Sequence, residues 1–270
     1  MSQLRFAQLS DTHIRKDYST GILQEMFASL ISPEQKLREI LSELKKESLD
    51  FIAISGDLVH EGNEADYQQL KKILEESDFQ VPVLLALGNH DNKEAFCDVF
   101  RQELQHGRYY YCYQIREWKI VVLDSANREN GLGGVDDAQI KWFEEIYEEE
   151  SSIIVFLHHP LFWDDLLLQL GENRERLIHI LARSNVKAVF CGHVHRNGMR
   201  EQEKIRQFTA ESTACGFDYT PNGILEQERS GYLYGSISEC NMEIEHCFWG
   251  NTEVYQMSNH TLKSVLDKKE

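Results

Sequence analysis

Five apolar runs in this chain each end in side chains that can bind a metal ion or transfer a proton. The runs cover residues 4–9, 51–55, 83–87, 153–157 and 186–190, and each has the length of a buried strand. The polar side chains that follow them are, in order, Asp11 and His13, Asp57, Asn89 and His90, His158, and His193 with His195. The stretch Gly88-Asn89-His90-Asp91 alone fits an ordinary turn, because Asn and Asp favour turns. Five such ends together predict one shared site.

Helical patterns separate most of these runs, which is typical of parallel strands in an α/β sheet. Ser32-Pro33-Glu34-Gln35 has the pattern of a capping box and predicts a helix to about Lys46, and Asn63 can cap the next helix. Further helices are predicted near residues 93–100, 136–150 and 174–183, and antiparallel strands over residues 109–115, 119–123, 232–237 and 241–248. Ligands of open α/β sheets bind beyond the carboxyl ends of the strands, so the polar side chains are expected to meet there.

The charge balance limits the partners of this chain. Its 45 acidic and 28 basic residues give a formal net charge of -17, which repels nucleic acid and anionic membrane surfaces. We therefore expect neither duplex nucleic acid nor a membrane as a partner. An apolar stretch long enough for a signal core or a bilayer span is lacking, which predicts a cytoplasmic location. We expect one domain over residues 1–250 and a polar tail over residues 251–270, and homo-oligomerisation stays open.

The residue types at the strand ends indicate which ions they would bind. The six cysteines form no Cys-x-x-Cys pair and are expected to be reduced thiols, mostly in the core. Asp, Asn and His offer oxygen and imidazole donors, which suit Mn, Fe or Zn. Seven such groups are too many for one ion but fit two ions that share a carboxylate. A metal pair of this kind clamps the attacking and leaving oxygens of an in-line displacement at phosphorus, so we expect hydrolysis of a small anionic phosphoester.

The ordered motifs resemble those of the calcineurin-like metallophosphoesterase superfamily over about residues 4–200. They are Asp11-Thr-His13, Gly56-Asp57, Gly88-Asn89-His90-Asp91, His158 and Gly192-His193-Val-His195. The resemblance implies an α/β fold of four layers (αββα), in which two mixed β-sheets pack face to face and are flanked by helices. It also implies an enzyme, a metal-dependent phosphoric ester hydrolase.

The same resemblance implies roles for individual residues around two divalent or trivalent transition metal ions. Asp11, His13, Asp57 and His195 would hold the first ion, with Asp57 bridging to the second, which Asn89, His158 and His193 would complete. The catalytic set would be His90, Asp57 and Asn89. His90 would protonate or stabilise the leaving oxygen while a hydroxide attacks from the other side.

His60 separates the branches of the superfamily. In the related Ser/Thr protein phosphatases an Asp occupies its position, so His60 argues against that branch. The segment from Gly88 through Leu123-Asp124-Ser125 to His158-His159-Pro160 is more similar to bacterial class III cyclic-nucleotide phosphodiesterases, which implies a 3′,5′-cyclic nucleotide such as cyclic AMP as the substrate.

Other functions stay open beside this one. One is hydrolysis of a glycerophosphodiester, a small nucleotide or a phosphomonoester. Another is a nuclease, which the negative net charge disfavours, although the nuclease branch often has His at the position of His60. The last is a non-catalytic scaffold, which would require the loss of metal ligands. Loops near residues 60, 126–134 and 215–225 would set the substrate, and the roles of His60, Asp91, Asn127 and Arg128 stay open.

The remaining histidines are expected to lie outside the metal site. His159 should point away from it, because adjacent residues of an extended chain face opposite sides. Surface or packing positions are expected for His106, His179, His246 and His260. Strand packing is expected for the run 109–111 of three tyrosines, in preference to base stacking.

Overall fold

Two large β-sheets form the centre of the molecule, which was analysed as a computed structural model. The structure describes residues 2–19, 31–127, 131–147, 152–221, 223–249 and 254–256. Its strands are β1 Leu4–Leu9, β2 Phe51–Ser55, β3 Val83–Ala86, β4 Tyr111–Ile115, β5 Trp118–Val122, β6 Gly133–Gly134, β7 Ser152–Phe156, β8 Leu170–Glu172, β9 Val186–Cys191, β10 Gly198–Gln202, β11 Ile205–Thr209, β12 Gly216–Thr220, β13 Gly223–Gln227, β14 Ser230–Ile237, β15 Met242–Trp249 and β16 Val254–Gln256. The helices are α1 Pro33–Leu44, α2 Glu64–Ser77, α3 Lys93–Phe100, α4 Asp137–Ile146 and α5 Arg174–Leu181, with a 3-10 turn at Leu166–Leu168.

Both large sheets are mixed, as expected. The first has the order β15-β14-β1-β2-β3 and the second β10-β11-β9-β7-β5-β4. Strands β1, β2 and β3 are parallel, as are β5, β7 and β9, whereas the pairs at the outer edges, β14 with β15, β10 with β11 and β4 with β5, are antiparallel. Two small sheets, β12-β13-β16 and β6-β8, lie outside them. The carboxyl ends of parallel strands share one edge of a sheet, so each large sheet brings several loops together.

Aromatic side chains fill the space between the two sheets. The Phe6 ring of the first sheet stacks on Phe51 at 5.1 Å between centroids and meets the Phe190 ring of the second sheet edge-on, also at 5.1 Å. Apolar residues of α1, α2 and α3 pack against the outer face of the first sheet, and those of α4 and α5 against the outer face of the second. This arrangement confirms the four-layer αββα fold.

The predicted helix starts are confirmed in their main feature. The Ser32 side chain accepts a hydrogen bond from the Gln35 N–H at 3.2 Å, and the Asn63 side chain accepts from the Asp66 N–H at 3.0 Å. The second half of the capping box, in which the Gln35 side-chain oxygen would accept from the Ser32 N–H, is not formed, and the Gln35 side chain donates to Glu39. Local capping therefore fixes where α1 and α2 begin, and with them the loops that return to the sheet.

Several other expectations can be compared with the structure. The predicted helix over residues 136–150 ends at Ile146, and residues 148–150 lie outside the described part. Within the predicted tail, Val254–Gln256 pairs with β13, while residues 257–270 are not described, so the domain division stays a prediction. All six cysteines are free thiols, but only Cys191 and Cys215 are buried, so the expectation that most lie in the core is wrong. Among the described helices, none is both long and apolar enough to cross a membrane.

We predict that Phe6→Ala lowers the free energy of unfolding by about 3–5 kcal/mol, the usual cost of emptying a packed aromatic position. The ring is fully buried and contacts both sheets. The matched control is Phe248→Ala, because Phe248 is 59% exposed and contacts Arg229 only through a cation–π pair. It should lose less than about 1 kcal/mol. Denaturant unfolding measures both, and equal losses would contradict the placement of Phe6 in the inter-sheet core.

Candidate metal centre

The five strand ends singled out in the sequence meet at one edge of the two sheets. The ends of β1, β2 and β3 come from the first sheet, and those of β7 and β9 from the second. Their side chains form two groups, Asp11 with His13 and His195, and Asp57 with His158 and His193, and within each group the donor atoms lie within 4.8 Å of one another. Asn89 joins the second group, since its Oδ1 is 3.2 Å from His158 Nε2. All seven predicted metal-binding residues are therefore brought together.

The backbone at these positions is strained. Five of the residues have left-handed φ values: Asp11 at 50°, His13 at 43°, Asp57 at 48°, His193 at 70° and His195 at 47°. This conformation costs roughly 1–2 kcal/mol for each residue that carries a Cβ. Strain of this kind persists only where the surrounding structure imposes it, and it clusters at functional sites. Here it turns side chains from three loops, those after β1, β2 and β9, toward one point.

Two glycines allow the loops to approach each other closely. A Cβ on Gly88 would lie 2.2 Å from Asp57 Oδ1, and a Cβ on Gly192 would lie 1.8 Å from Ser10 Oγ and 2.6 Å from Asp11 Oδ2. Gly88 is not among the residues with positive φ, so its role is to leave room for the Asp57 carboxylate and not to permit an unusual turn.

Asp57 lies between the two groups and belongs to both. Its Oδ2 is 3.8 Å from His13 Nε2 in the first group and 3.3 Å from His158 Nε2 in the second. Its other oxygen, Oδ1, accepts a hydrogen bond from the His90 N–H at 2.9 Å. One oxygen is thus tied to the protein, and the other faces both groups.

The atoms of the second group that could bind a metal face one another as hydrogen-bond acceptors. His158 Nδ1 lies 2.9 Å from the Ser55 carbonyl oxygen, and because a carbonyl only accepts, that nitrogen carries the proton. The lone pair of a neutral His158 is then on Nε2, which faces Asp57 Oδ2 at 3.3 Å and Asn89 Oδ1 at 3.2 Å. Acceptors facing acceptors are stabilised by a metal ion or by an added proton.

The first group has the same character. His195 Nδ1 donates to the Cys215 carbonyl oxygen at 2.9 Å, so its Nε2 lone pair faces Asp11 Oδ1 at 3.3 Å and His13 Nε2 at 3.1 Å. In the second group, His193 Nε2 is buried and has no hydrogen-bond partner in the described part of the chain. Imidazole nitrogens and carboxylate oxygens at these separations fit two transition metal ions of the Mn, Fe or Zn type.

The electrostatics confirm how strongly these groups attract a positive charge. Burial acts to lower the pKa of His158, but the neighbouring Asp57 and Asp11 raise it to about 9. Burial likewise opposes the charge on His195, yet Asp11 raises the pKa of His195 well above its usual range. For Asp57, burial acts to raise the pKa, but the cationic forms of His158 and His90 hold it well below the usual range. The site therefore keeps the Asp57 carboxylate ionised and favours positive charge at His158 and His195, whereas burial and neighbouring histidines lower the pKa of His13 and His193 well below the usual range.

Asp91, whose role the sequence left open, ties two of the loops together. Its Oδ2 accepts from the Gly88 N–H at 2.8 Å and the Leu58 N–H at 3.1 Å, and its Oδ1 accepts from the Tyr67 hydroxyl at 2.9 Å. Burial and the nearby Asp57 raise the pKa of Asp91 to about 7, while these donors favour its charged form. Asp91 thus joins the loop that carries Asp57 to the loop that carries Asn89 and His90.

His159 lies closer to the site than expected. Its ring contacts the His193 ring at 4.3 Å between centroids, and so does the His158 ring at 5.1 Å, so the alternation of an extended strand does not hold here. The two ring nitrogens are used elsewhere, Nδ1 at 3.0 Å from Ser125 Oγ and Nε2 at 3.3 Å from the Gly131 carbonyl. Burial and the neighbouring His158 lower the pKa of His159 to about 3. His159 is therefore a neutral side chain that lies beside the two groups of metal-binding residues.

The remaining expectations about aromatic and histidine side chains are confirmed where the structure describes them. His106, His179 and His246 are exposed, and His260 lies outside the described residues. Tyr109 and Tyr110 are buried, and the Tyr111 hydroxyl bonds to the main chain of Leu85.

Nothing in the sequence indicates two contacts that Cys215 and the following strand β12 make with His195. The Phe217 ring stacks on His195 at 4.2 Å between centroids and 8° between planes, and the Cys215 carbonyl orients the same imidazole. Only the general region, residues 215–225, was singled out as a candidate. Arg128, whose role the sequence leaves open, lies outside the described residues.

Comparison with known proteins agrees with this geometry. A family model described as calcineurin-like phosphoesterase matches residues 4–197. A probable cyclic nucleotide phosphodiesterase of Vesicomyosocius okutanii is 27% identical over 239 residues, 85% of this chain and 92% of that protein. A probable glycerophosphodiester phosphodiesterase GpdQ of Arcobacter nitrofigilis is 29% identical over 217 residues, 76% and 77% of the two chains. Among solved structures, a dimetal phosphatase from Danio rerio superposes with a TM-score of 0.69 at 14% identity, covering 94% of this chain and 98% of that one.

The fold and the metal-binding groups define a metallophosphoesterase. Because the family model covers most of the sequence, the chain belongs to the calcineurin-like phosphoesterase family. The protein is therefore a metal-dependent phosphoric ester hydrolase.

We predict that Asp91→Asn lowers the free energy of unfolding by about 1–3 kcal/mol, because one acceptor oxygen becomes an NH2 group that faces buried N–H or O–H donors. Asp98→Asn on the exposed side of α3 is the matched control and should be close to neutral. Denaturant unfolding of both variants measures the difference. If Asp91→Asn unfolds like Asp98→Asn, the carboxylate does not hold the two loops.

Proposed function

We propose that this phosphoesterase uses two metal ions to hydrolyse a small phosphodiester, and that its substrate is a 3′,5′-cyclic nucleotide. The observation that carries the two-ion proposal is the position of Asp57. Its Oδ2 faces His13 on one side and His158 on the other, while its Oδ1 is held by the His90 N–H. A carboxylate oxygen placed between two imidazole groups is what a shared ligand requires.

The two groups divide the ligands between the ions. One ion would be held by Asp11, His13, Asp57 and His195, and the other by Asp57, Asn89, His158 and His193. When bound, these ions would stabilise the charge on the phosphoryl oxygens and supply a nucleophile at neutral pH. The protein's own part is to keep each imidazole in the tautomer with its lone pair inward, which the Ser55 and Cys215 carbonyls do for His158 and His195.

His90 is placed to act on the leaving group. Its Nδ1 donates to the His60 carbonyl oxygen at 2.9 Å, which leaves Nε2 as the nitrogen that can carry a further proton. His90 and Asn89 are half-buried, whereas Asp11, His158 and Asp57 are almost fully buried, so the site is open on the side of His90. An alkoxide leaving from phosphorus would take its proton from Nε2.

The identity of the substrate rests on relatives and on charge. Relatives described as probable cyclic nucleotide phosphodiesterases match most of this chain, which favours a cyclic nucleotide. A second candidate, a glycerophosphodiester, is favoured by the match to probable GpdQ. Both are small monoanions, whereas a DNA strand would meet a chain with a net charge of -17.

We predict that His90→Ala lowers kcat by about 10²–10⁴-fold and leaves the bound metal intact, because His90 serves the leaving group and not the ions. Asp57→Ala should lose both ions, and Asn89→Ala should weaken the second one. Metal content after dialysis, measured by mass spectrometry, and kcat are determined for all three variants. His90 would be reassigned as a ligand if His90→Ala were as poor in metal as Asp57→Ala.

A substrate panel tests the choice of phosphodiester. With Mn²⁺ present, kcat/KM should be highest for 3′,5′-cyclic nucleotides and lower for glycerophosphodiesters and phosphomonoesters. The Asp57→Ala protein, purified in parallel, gives the background from contaminating hydrolases. Turnover of glycerophosphodiesters without turnover of cyclic nucleotides would establish the second candidate, and cleavage of DNA strands would overturn the argument from charge.

A further inference from the structure

His60 places a side-chain imidazole against the outer nitrogen of His13. His13 directs its Nε2 toward the other donors, 3.1 Å from His195 Nε2 and 3.8 Å from Asp57 Oδ2. Its other nitrogen, Nδ1, lies 3.2 Å from His60 Nδ1. The outer nitrogen of His13 therefore meets an imidazole.

The outer nitrogens of the neighbouring histidines meet main-chain carbonyl oxygens instead. His158 Nδ1 donates to Ser55, and His195 Nδ1 donates to Cys215, both at 2.9 Å. A carbonyl can only accept, so it fixes the proton on Nδ1 and the lone pair on Nε2. At His13 the same result requires that His60 Nδ1 accept, which it does in the tautomer with its proton on Nε2.

His60 also holds the histidine assigned to the leaving group. Its main-chain oxygen accepts from His90 Nδ1 at 2.9 Å, and its ring stacks on the His90 ring at 4.8 Å between centroids and 26° between planes. His60 is only 6% exposed, and its N–H donates to the Ile14 carbonyl at 3.2 Å, next to His13 in the chain. The residue is thus fixed between the two imidazoles it contacts.

We propose that His60 is a positioning residue that serves both halves of the reaction. Its imidazole accepts the Nδ1 proton of His13, which keeps the His13 Nε2 lone pair available to the first ion. Its main-chain carbonyl orients His90 toward the leaving group. The inference rests on the proposed function, because that function assigns His13 to an ion and His90 to the leaving oxygen.

The side-chain half of this role can be tested with three substitutions. His60→Asn places an amide oxygen where the Nδ1 acceptor lies. His60→Leu gives a side chain of nearly the same shape as Asn but without an acceptor, and His60→Phe keeps a ring without an acceptor. The exposed His106, changed to Asn, is the matched control. Each protein is stripped of metal with a chelator and titrated with Mn²⁺ by calorimetry, and unfolding of the metal-free proteins confirms that they are folded.

We expect wild-type affinity for His60→Asn and His106→Asn, and a loss of about 10–100-fold at one of two ions for His60→Leu and His60→Phe. If His60→Leu does not fold, His60→Phe carries the comparison. Wild-type affinity in His60→Phe with a loss in His60→Asn would show that the ring only packs, and wild-type affinity in all variants would also overturn the inference. A third ion per chain, lost in His60→Asn, would make His60 a ligand instead. If the wild-type protein binds no metal, the proposed function fails.

Discussion

The site depends on one electrostatic constraint, namely that carboxylate oxygens and imidazole lone pairs point at each other inside the protein. Such groups repel one another until a cation joins them, so the surrounding structure must hold them in place. Main-chain groups on the outer side of the site hold them. Main-chain N–H groups donate to Asp11 and Asp57, and main-chain carbonyl oxygens accept from the outer nitrogens of His158 and His195. The left-handed backbone at five of the seven predicted metal-binding residues is part of the same constraint.

The sandwich of two sheets supplies the rigidity that this arrangement needs. The edge-on contacts of Phe6 with Phe156 and Phe190 join the two sheets face to face, and the strands that carry the site end at a common edge. The loops that follow are then fastened to each other as well as to the sheets. Asp91 joins two of them through bonds to Gly88 and Leu58. A strained loop can be maintained in this way because its relaxation would break contacts in several others.

The strands and the meeting of the polar side chains at one edge were largely predictable from the sequence because both follow from short-range patterns. Strands β1 and β2 begin and end at the residues that their apolar runs predict, and each predicted metal-binding residue comes within five residues of the end of such a run. Contacts between loops were not predictable. The carbonyl that orients His195 belongs to Cys215, twenty residues further along the chain, and main-chain atoms leave no mark in the sequence. The direction of His159 was expected wrongly for a related reason, since the alternation of a strand no longer applies beyond its last residue.

The partners that orient the imidazoles also bear on the charge of the site. A chain with a net charge of -17 repels an anionic substrate over most of its surface, so attraction must come from the site itself. The groups that accept from His158, His195 and His90 are carbonyl oxygens, which carry no charge. In the proposed tautomer, the group that accepts from His13 is the neutral imidazole of His60. A carboxylate at position 60 would orient His13 equally well, but it would add a negative charge beside His90, on the side where the site is open. A neutral acceptor there would fix the tautomer and leave the positive charge of ions bound at the proposed site available to an anionic phosphoester.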